Sequence, residues 1–214
     1  MQMPSTEQRS YLDLATMTYM DSVGLALPYL EKRGIGEDLA KLNGLGVVVD
    51  PLQGHEKFRN RLAIPYLTRS GPVNMKFRCM MDHNCKEITG HNKYLSYDGL
   101  KGNLFGVMAY EDAGNFMCIT EGELDTLILQ SIGLPSMGVP GATHWQGHWN
   151  EVFRDFSRVY IFSDGDEAGQ NFAGKVLVNM PETAVNIPMP HGMDVTDVFV
   201  KYGPSRLTDL IKEK

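Results

Sequence analysis

Short apolar segments alternate with amphipathic segments along the second half of the chain. The apolar segments FMCIT, RVYIFS, TAVNIPM and a short one near PSMGV are typical of buried strands, whereas LDTLILQSI, HWNEVFRDF and EAGQNFAGKVLVNM have helical spacing. Strands that alternate with helices form βαβ units, and these units build a parallel sheet covered by helices. From residue 115 onwards, the sequence therefore predicts an α/β fold.

The first half has a different pattern. Residues 7–32 have helical spacing, with a break or a second helix start at Pro28, and residues 38–42 form a short helical segment. Three β-prone runs follow at residues 47–49, 62–66 and 73–77, with a turn at RSGP, before a loop-rich segment at residues 79–103. The sequence predicts two domains: a mixed α/β N-terminal lobe, residues 1–112, and a second domain, residues 113–214.

Charge is distributed unevenly over the 214 residues, whose formal net charge is −6. Residues 51–110 hold 9 Lys and Arg against 4 Asp and Glu, whereas residues 111–214 hold 7 against 15. This asymmetry fits either ordinary variation of surface charge or a metal-dependent enzyme that handles phosphates, and the motifs must decide between them. Because no apolar run approaches ~20 residues and the three cysteines form no secreted-domain pattern, we expect a cytoplasmic protein with no membrane partner.

Acidic residues follow two of the predicted strands directly. Glu121 comes after FMCIT, and Asp164 and Asp166 come after RVYIFS with Gly165 between them. The carboxyl ends of parallel strands meet at one edge, where carboxylates without a basic partner repel one another unless a hard cation such as Mg²⁺ or Mn²⁺ binds. The alternative is that these acids cap the N-termini of the helices that follow.

A third acidic pair follows the last predicted strand. Asp194 and Asp197 lie in HGMDVTDVFVKYG, where Asp197 is a candidate to cap the helix DVFVKY and Asp194 is a candidate to line the metal site.

These three segments together resemble a known family. The series ITEGELDTL, VYIFSDGDEAGQNFA and HGMDVTDVF resembles the Toprim domain of DnaG-type primases, topoisomerases and some nucleases. The segments NRLAIPYLTRSGPVNMKFR and KYLSYDGLKGNLFG are similar to elements of the DnaG primase catalytic core. The resemblance implies a Toprim domain, with a parallel sheet flanked by helices, preceded by a smaller lobe in an overall α+β chain.

The resemblance also implies a function and a set of site residues. It implies a DNA primase core that makes short RNA primers on single-stranded DNA from ribonucleoside triphosphates. Glu121, Asp164 and Asp166 would be catalytic and would bind Mg²⁺ or Mn²⁺ together with Asp194. The residues expected to contact nucleotide or template phosphates are Arg61, Arg78 and Lys93, with Lys101 as a further candidate. Strand alternation places Lys76 on the same face as Arg78. Tyr94 and Tyr97 are candidates for base stacking.

Two modules of the replicative primase, a zinc ribbon and a helicase-binding module, have no room in this chain. We therefore expect a separate zinc-ribbon or helicase protein as partner, in a compact system of phage origin. Two alternatives remain open, a Toprim nuclease that uses the same carboxylates and a non-catalytic replication adaptor.

A segment without counterpart in the family, CMMDHNCKEITGH, contains Cys79, His83, Cys85 and His91. Thiolate and imidazole ligands suit tetrahedral Zn²⁺, although the spacing is not the usual Cys-x2-Cys pair, and the alternative is a plain hairpin. Cys118 lies within an apolar strand and is expected to be core. His144 and His148 are expected to be surface residues.

Overall fold

The computed structural model describes residues 4–96, 102–141 and 145–214, and the chain divides into two compact units, Met1–Lys101 and Gly102–Lys214. Residue 112, where the sequence placed the boundary, lies within the second unit. Phe105 pairs there with Gly138 through two backbone hydrogen bonds of 2.8 and 3.0 Å, and Leu104 is buried. The pairing joins residues far apart in the sequence, so no local pattern indicates it. The sequence analysis therefore placed the domain boundary at the polar segment EDAGN.

Three helices begin the first unit: α1 (Thr6–Met20), α2 (Leu27–Glu31) and α3 (Glu37–Leu42). Helix α1 starts with a capping box, in which the Ser5 side chain accepts a hydrogen bond from the backbone N–H of Gln8 and the Gln8 side chain accepts one from the backbone N–H of Ser5. Its buried face contains Leu12, Ala15, Thr16 and Tyr19, whereas Leu14, which helical spacing also favoured, is 53% exposed. The break predicted at Pro28 is confirmed, because α2 begins there.

An antiparallel sheet completes the first unit. Its strands are β1 (Gly46–Val47), β2 (Leu62–Thr68), β3 (Gly71–Arg78) and β4 (Tyr94–Ser96), in that spatial order. The predicted turn at RSGP joins β2 to β3, with Gly71 at a φ of 98° that favours glycine. Strand β4 lies in the segment predicted to be loop-rich, and it pairs with β3 so that Tyr94 faces Arg78.

The second unit contains the predicted α/β fold. Strands β5 (Phe116–Thr120), β6 (Ser136–Gly138), β7 (Arg158–Ser163) and β8 (Ala184–Pro188) form a parallel sheet in the order β6-β5-β7-β8. The helices are α4 (Glu123–Ser131), α5 (Asn150–Phe153), α6 (Glu167–Asn179), α7 (Val195–Tyr202) and α8 (Pro204–Lys212). The helix predicted at HWNEVFRDF is shorter than expected, because Gly147–Trp149 forms a 3-10 turn before α5.

The central part of the sheet in the second unit is buried, which explains the continuous apolar runs of β5 and β7, whereas the edge strand β8 is mostly half-buried. Met117, Ile119, Val159 and Ile161 pack with Phe172 of α6 and other buried side chains in one core. Complete burial of each such side chain contributes about 1.5–3 kcal/mol to the free energy of folding. Among residues 4–96, 102–141 and 145–214, no helix has both the length and the apolar character needed to cross a membrane.

Candidate active site

The carboxyl ends of β5 and β7 bring two predicted acids together. Glu121 follows β5 and Asp164 follows β7, and these two strands are direct neighbours in the sheet. The backbone N–H of Asp164 donates a hydrogen bond of 3.1 Å to Oε1 of Glu121. The structure therefore places these two residues at one corner, as predicted.

Glycines allow the turn after β7 to pack tightly. A Cβ on Gly169 would lie 2.2 Å from the backbone oxygen of Asp164, so the first turn of α6 can approach the strand end only with glycine at this position. Asp166 is the N-cap of α6, and its Oδ1 accepts a hydrogen bond of 2.8 Å from the backbone N–H of Gly169. The DGDEAG spacing thus orients the Asp166 carboxylate through the backbone.

A backbone contact at Gly165 brings the third acidic segment to the same edge. The N–H of Gly165 donates to the carbonyl of Met193, and the N–H of Gly192 donates to the carbonyl of Gly165, each at 2.8 Å. A Cβ on Gly165 would lie 1.9 Å from the carbonyl oxygen of Pro190. This close packing places Asp194, which follows directly, beside the turn after β7.

Asp194, rather than Asp197, is the N-cap of helix α7, and it also belongs to the acidic cluster. Its Oδ1 accepts a hydrogen bond of 2.8 Å from the backbone N–H of Asp197, and Oδ2 of Asp197 accepts one of 3.2 Å from the backbone N–H of Asp194. Its charge also acts on Asp164. Helix capping and membership of the acidic cluster are therefore compatible.

Asp125 is a member of the cluster that the sequence analysis did not include among the site residues. Its Oδ1 accepts hydrogen bonds from the backbone N–H and the hydroxyl of Thr196, at 3.0 and 2.8 Å, and its charge acts on Asp164. The available signal was the EGELD motif, which places Asp125 in the first turn of α4, directly after the end of β5 that carries Glu121.

The electrostatics of this edge favour uptake of a cation. Burial and the charges of Asp125, Glu121, Asp194 and Asp166 raise the pKa of Asp164 from 3.8 to about 8. Burial also raises the pKa of Glu121, with a contribution from Asp166, although the N–H of Asp164 opposes this shift. Hard oxygen donors whose ionisation is this unfavourable fit a divalent cation such as Mg²⁺, whose charge would offset the repulsion.

Basic residues of the first unit lie on the sheet formed by β2, β3 and β4. Arg78 donates hydrogen bonds to the hydroxyls of Tyr29 and Tyr94, and its guanidinium lies 5.0 Å from the centre of the Tyr94 ring. The Lys76 ammonium lies 5.4 Å from the same ring, so these two cations share one face of β3, as the alternation predicted. Tyr94 therefore contacts cations in this structure.

Arg61 has a different environment from the one expected of a phosphate ligand. It is only 9% exposed, and its guanidinium donates to the backbone carbonyls of Asn92 and Lys93 at 2.9 and 3.4 Å. The Lys93 side chain is exposed. In this arrangement Arg61 supports the backbone that carries Lys93.

The four candidate zinc ligands come together in the first unit. Cys79, His83, Cys85 and His91 have donor atoms that all lie within 4.8 Å of one another, and within the described part of the chain they are the one group of Cys, His, Asp and Glu that does so. The five acids of the second unit form a looser cluster.

Cys118 is buried and His148 is exposed, as expected, whereas Tyr97, Lys101 and His144 lie outside the described residues.

Comparison with known proteins identifies relatives for both units. A Toprim-like family model matches residues 118–199. The chain is 35% identical over 154 residues to the gene 57 protein of Mycobacterium phage D29, a match that covers 72% of this chain and 99% of that protein. It is 25% identical over 198 residues to a DNA primase of Listeria innocua, covering 87% of this chain but 31% of that longer protein.

Solved structures share the fold. The zinc-binding and RNA polymerase domains of the Aquifex aeolicus primase align with 98% of this chain at a TM-score of 0.79 and 23% identity, over 62% of that chain. A DnaG primase catalytic domain solved with single-stranded DNA aligns with 96% of this chain and 80% of its own length, at a TM-score of 0.72 and 20% identity. The chain therefore belongs to the Toprim-containing family of the phage gene 57 protein, and its fold is that of DnaG primase catalytic cores.

Proposed function

We propose that this protein is a DNA primase catalytic core, which synthesises short RNA primers on single-stranded DNA by metal-dependent nucleotidyl transfer. The observation that carries the proposal is the convergence of Glu121, Asp164, Asp166, Asp194 and Asp125 at one edge of the parallel sheet, where the charges of the other four acids act on Asp164. The likeness of fold to primase cores over nearly the whole chain supports the choice of reaction.

The acids would hold Mg²⁺ or Mn²⁺ through side chains that the backbone already orients. A divalent cation bound there would neutralise the triphosphate and assist deprotonation of the attacking hydroxyl. The Asp164 N–H directs the Glu121 carboxylate, and the Gly169 N–H directs that of Asp166. These contacts reduce the reorganisation that binding requires.

The basic residues of the first unit would bind the template or the nucleotide phosphates. Arg78 is held between two tyrosines, which orient its guanidinium, and Lys76 follows the same face. Phosphate contacts of this kind position a nucleic acid without reading its sequence. Lys93 is an exposed cation on the adjoining loop, whereas we assign Arg61 the supporting role that its carbonyl contacts indicate. The DnaG domain solved with single-stranded DNA supports this choice of ligand.

Primer synthesis is tested directly with a single-stranded template, the four ribonucleoside triphosphates and Mg²⁺ or Mn²⁺. The expected result is short RNA that depends on template and metal. In Asp164→Asn, primer yield should fall by at least two orders of magnitude, because the metal loses a central ligand. Asp155→Asn, which changes an exposed acid of the same unit, is the matched control and should retain activity.

The same assay separates the alternatives. Degradation of the template in the absence of nucleotides, lost in Asp164→Asn, would identify a nuclease and contradict the proposal. Absence of both reactions with metal bound would also contradict it and would favour an adaptor. Because the chain spans 31% of the Listeria primase, the assay is run both alone and with a separately supplied zinc-ribbon or helicase protein of the same system.

A further inference from the structure

Four side chains of the loop between β3 and β4 direct their donor atoms at one point. The Cys79 Sγ lies 3.8 Å from the His83 Nε2 and 3.2 Å from the His91 Nε2, and the Cys85 Sγ lies 3.3 Å from the His83 Nε2. All four donors lie within 4.8 Å of one another. The cluster belongs to the first unit and contains none of the acids of the candidate active site.

These separations match a tetrahedral zinc site. With Zn–S bonds of ~2.3 Å and Zn–N bonds of ~2.0 Å, tetrahedral geometry puts neighbouring ligand atoms about 3.3–3.8 Å apart. The three measured separations each join a sulfur to a nitrogen, for which this geometry gives about 3.5 Å, and all lie within about 0.3 Å of that value. Two thiolates and two neutral imidazoles also carry together the charge of −2 that balances Zn²⁺, and tetrahedral S₂N₂ coordination is typical of structural zinc.

Large apolar side chains contribute little to the order of this loop. Among residues 79–93, Met81 and Ile88 are 68% and 45% exposed, so its large apolar side chains do not form a core of their own. The four donor residues are buried or half-buried, whereas most of the other described side chains of the loop are exposed. Hydrogen bonds between partly exposed thiols and imidazoles offset little of the entropy lost in gathering four side chains, whereas a metal ion compensates it directly.

The ligands come from the whole length of the loop. Cys79 follows β3, Cys85 begins the 3-10 turn Cys85–Glu87, and His91 precedes β4. The backbone N–H of Cys79 donates a hydrogen bond of 2.8 Å to the carbonyl of Lys93, and this bond closes the base of the loop. A metal bound at this point would therefore connect both ends of the loop to its middle, which explains why the spacing differs from a Cys-x2-Cys pair.

We propose that Cys79, His83, Cys85 and His91 bind one Zn²⁺, and that this ion is structural and fixes the loop at residues 79–93. The four side chains fill the tetrahedron, so no position remains for water or substrate, and the ion takes no part in chemistry. Its effect on nucleic acid is indirect. The loop carries Lys93, receives the guanidinium of Arg61 at its backbone, and lines with Arg78 a cavity of about 620 Å³.

Metal content tests this site independently of primer synthesis. Full-length protein purified without chelator is expected to contain one zinc per chain by atomic spectroscopy. Cys79→Ser and Cys85→Ser should each lower the zinc content at least tenfold. Cys118→Ala removes the buried thiol of β5, and His148→Ala removes an exposed imidazole; both controls should keep the zinc.

A second measurement on the unmodified chain keeps the test valid if the serine variants do not fold. Replacement of zinc by Co²⁺ should give the visible absorption of tetrahedral thiolate coordination, and the metal should protect Cys79 and Cys85 from alkylation, with Cys118 buried in both states. Zinc-free native protein without cobalt absorption would overturn the proposal, as would an intact mass showing a Cys79–Cys85 disulfide. Loss of primer synthesis with zinc retained would contradict only the proposed function.

Discussion

Asp164→Asn should stabilise the metal-free protein at pH 8 but not at pH 4. The pKa of Asp164 rises from 3.8 to about 8 on folding, through burial and then through the charges of the neighbouring acids. An acid with a raised pKa binds its proton more tightly in the folded state, so the free energy of unfolding decreases as the pH rises from about 4 to about 8. Asparagine has the same shape and does not ionise, so the variant avoids this loss.

The magnitude follows from the interval between the two pKa values. Between 3.8 and about 8, each pH unit lowers the free energy of unfolding by about 1.4 kcal/mol, which gives an upper limit of about 5 kcal/mol at pH 8. Because Asp164 is partly exposed, solvent screening reduces this to ~2–5 kcal/mol. For a chain of this length, 1 kcal/mol corresponds to roughly 2–4 °C, so the variant should melt about 5–15 °C higher than the wild type at pH 8.

Thermal unfolding in EDTA at pH 4 and pH 8 measures the effect, with Asp155→Asn as the exposed control. Added Mg²⁺ should raise the melting temperature of the wild type and reduce the difference, because the ion stabilises only the folded state that binds it. A variant that melts at or below the wild type at pH 8 in EDTA would refute the argument that the acids repel one another in the folded protein.

Three further predictions use other parts of the structure. Gly165→Ala should lower both the melting temperature and the Mg²⁺ affinity, because its Cβ would lie 1.9 Å from a backbone carbonyl oxygen. Gly174→Ala, at an open position of α6, should instead stabilise the folded protein by about 0.5–1 kcal/mol. Equal melting temperatures of the two variants would contradict this prediction. Burial lowers the pKa of His55 to about 4, so stability should fall by about 3 kcal/mol as the pH falls from 6.5 to 4, and His55→Gln should flatten this dependence in denaturant titrations. Arg78→Gln should weaken single-stranded DNA binding and reduce the slope of log K against log salt concentration by about one phosphate contact, as measured by fluorescence anisotropy. The control Lys175→Gln, at an exposed position, should leave this slope unchanged. An unchanged slope in Arg78→Gln would argue against a phosphate contact.

Much of the fold could be predicted from local patterns. The alternation of apolar and helical segments predicted the parallel sheet, because buried strands must be apolar on both faces. The DGDEAG and HGMD segments predicted acids at strand ends, since glycine and aspartate there have both local turn and capping roles. Sequence spacing alone did not select Asp125, whose position depends on hydrogen bonds to Thr196, 71 residues away.

Arg61 and the domain boundary depended on contacts that the sequence does not encode locally. An arginine in a basic segment resembles a phosphate ligand, yet its hydrogen bonds go to the carbonyls of Asn92 and Lys93, which pairing of β3 with β4 brings close. Likewise, pairing of Phe105 with Gly138 assigns the residues before EDAGN to the second unit.

The sequence by itself determined which residue types could serve each site: carboxylates after buried strands for a hard cation, and thiols with imidazoles for a softer one. Only the tertiary structure decided which of them meet. Strand order placed Glu121 beside Asp164, packing at Gly165 added Asp194, and closure of the β3–β4 loop gathered Cys79 with His91. The physical reason is that residue chemistry is local, whereas proximity depends on long-range backbone hydrogen bonds and close packing.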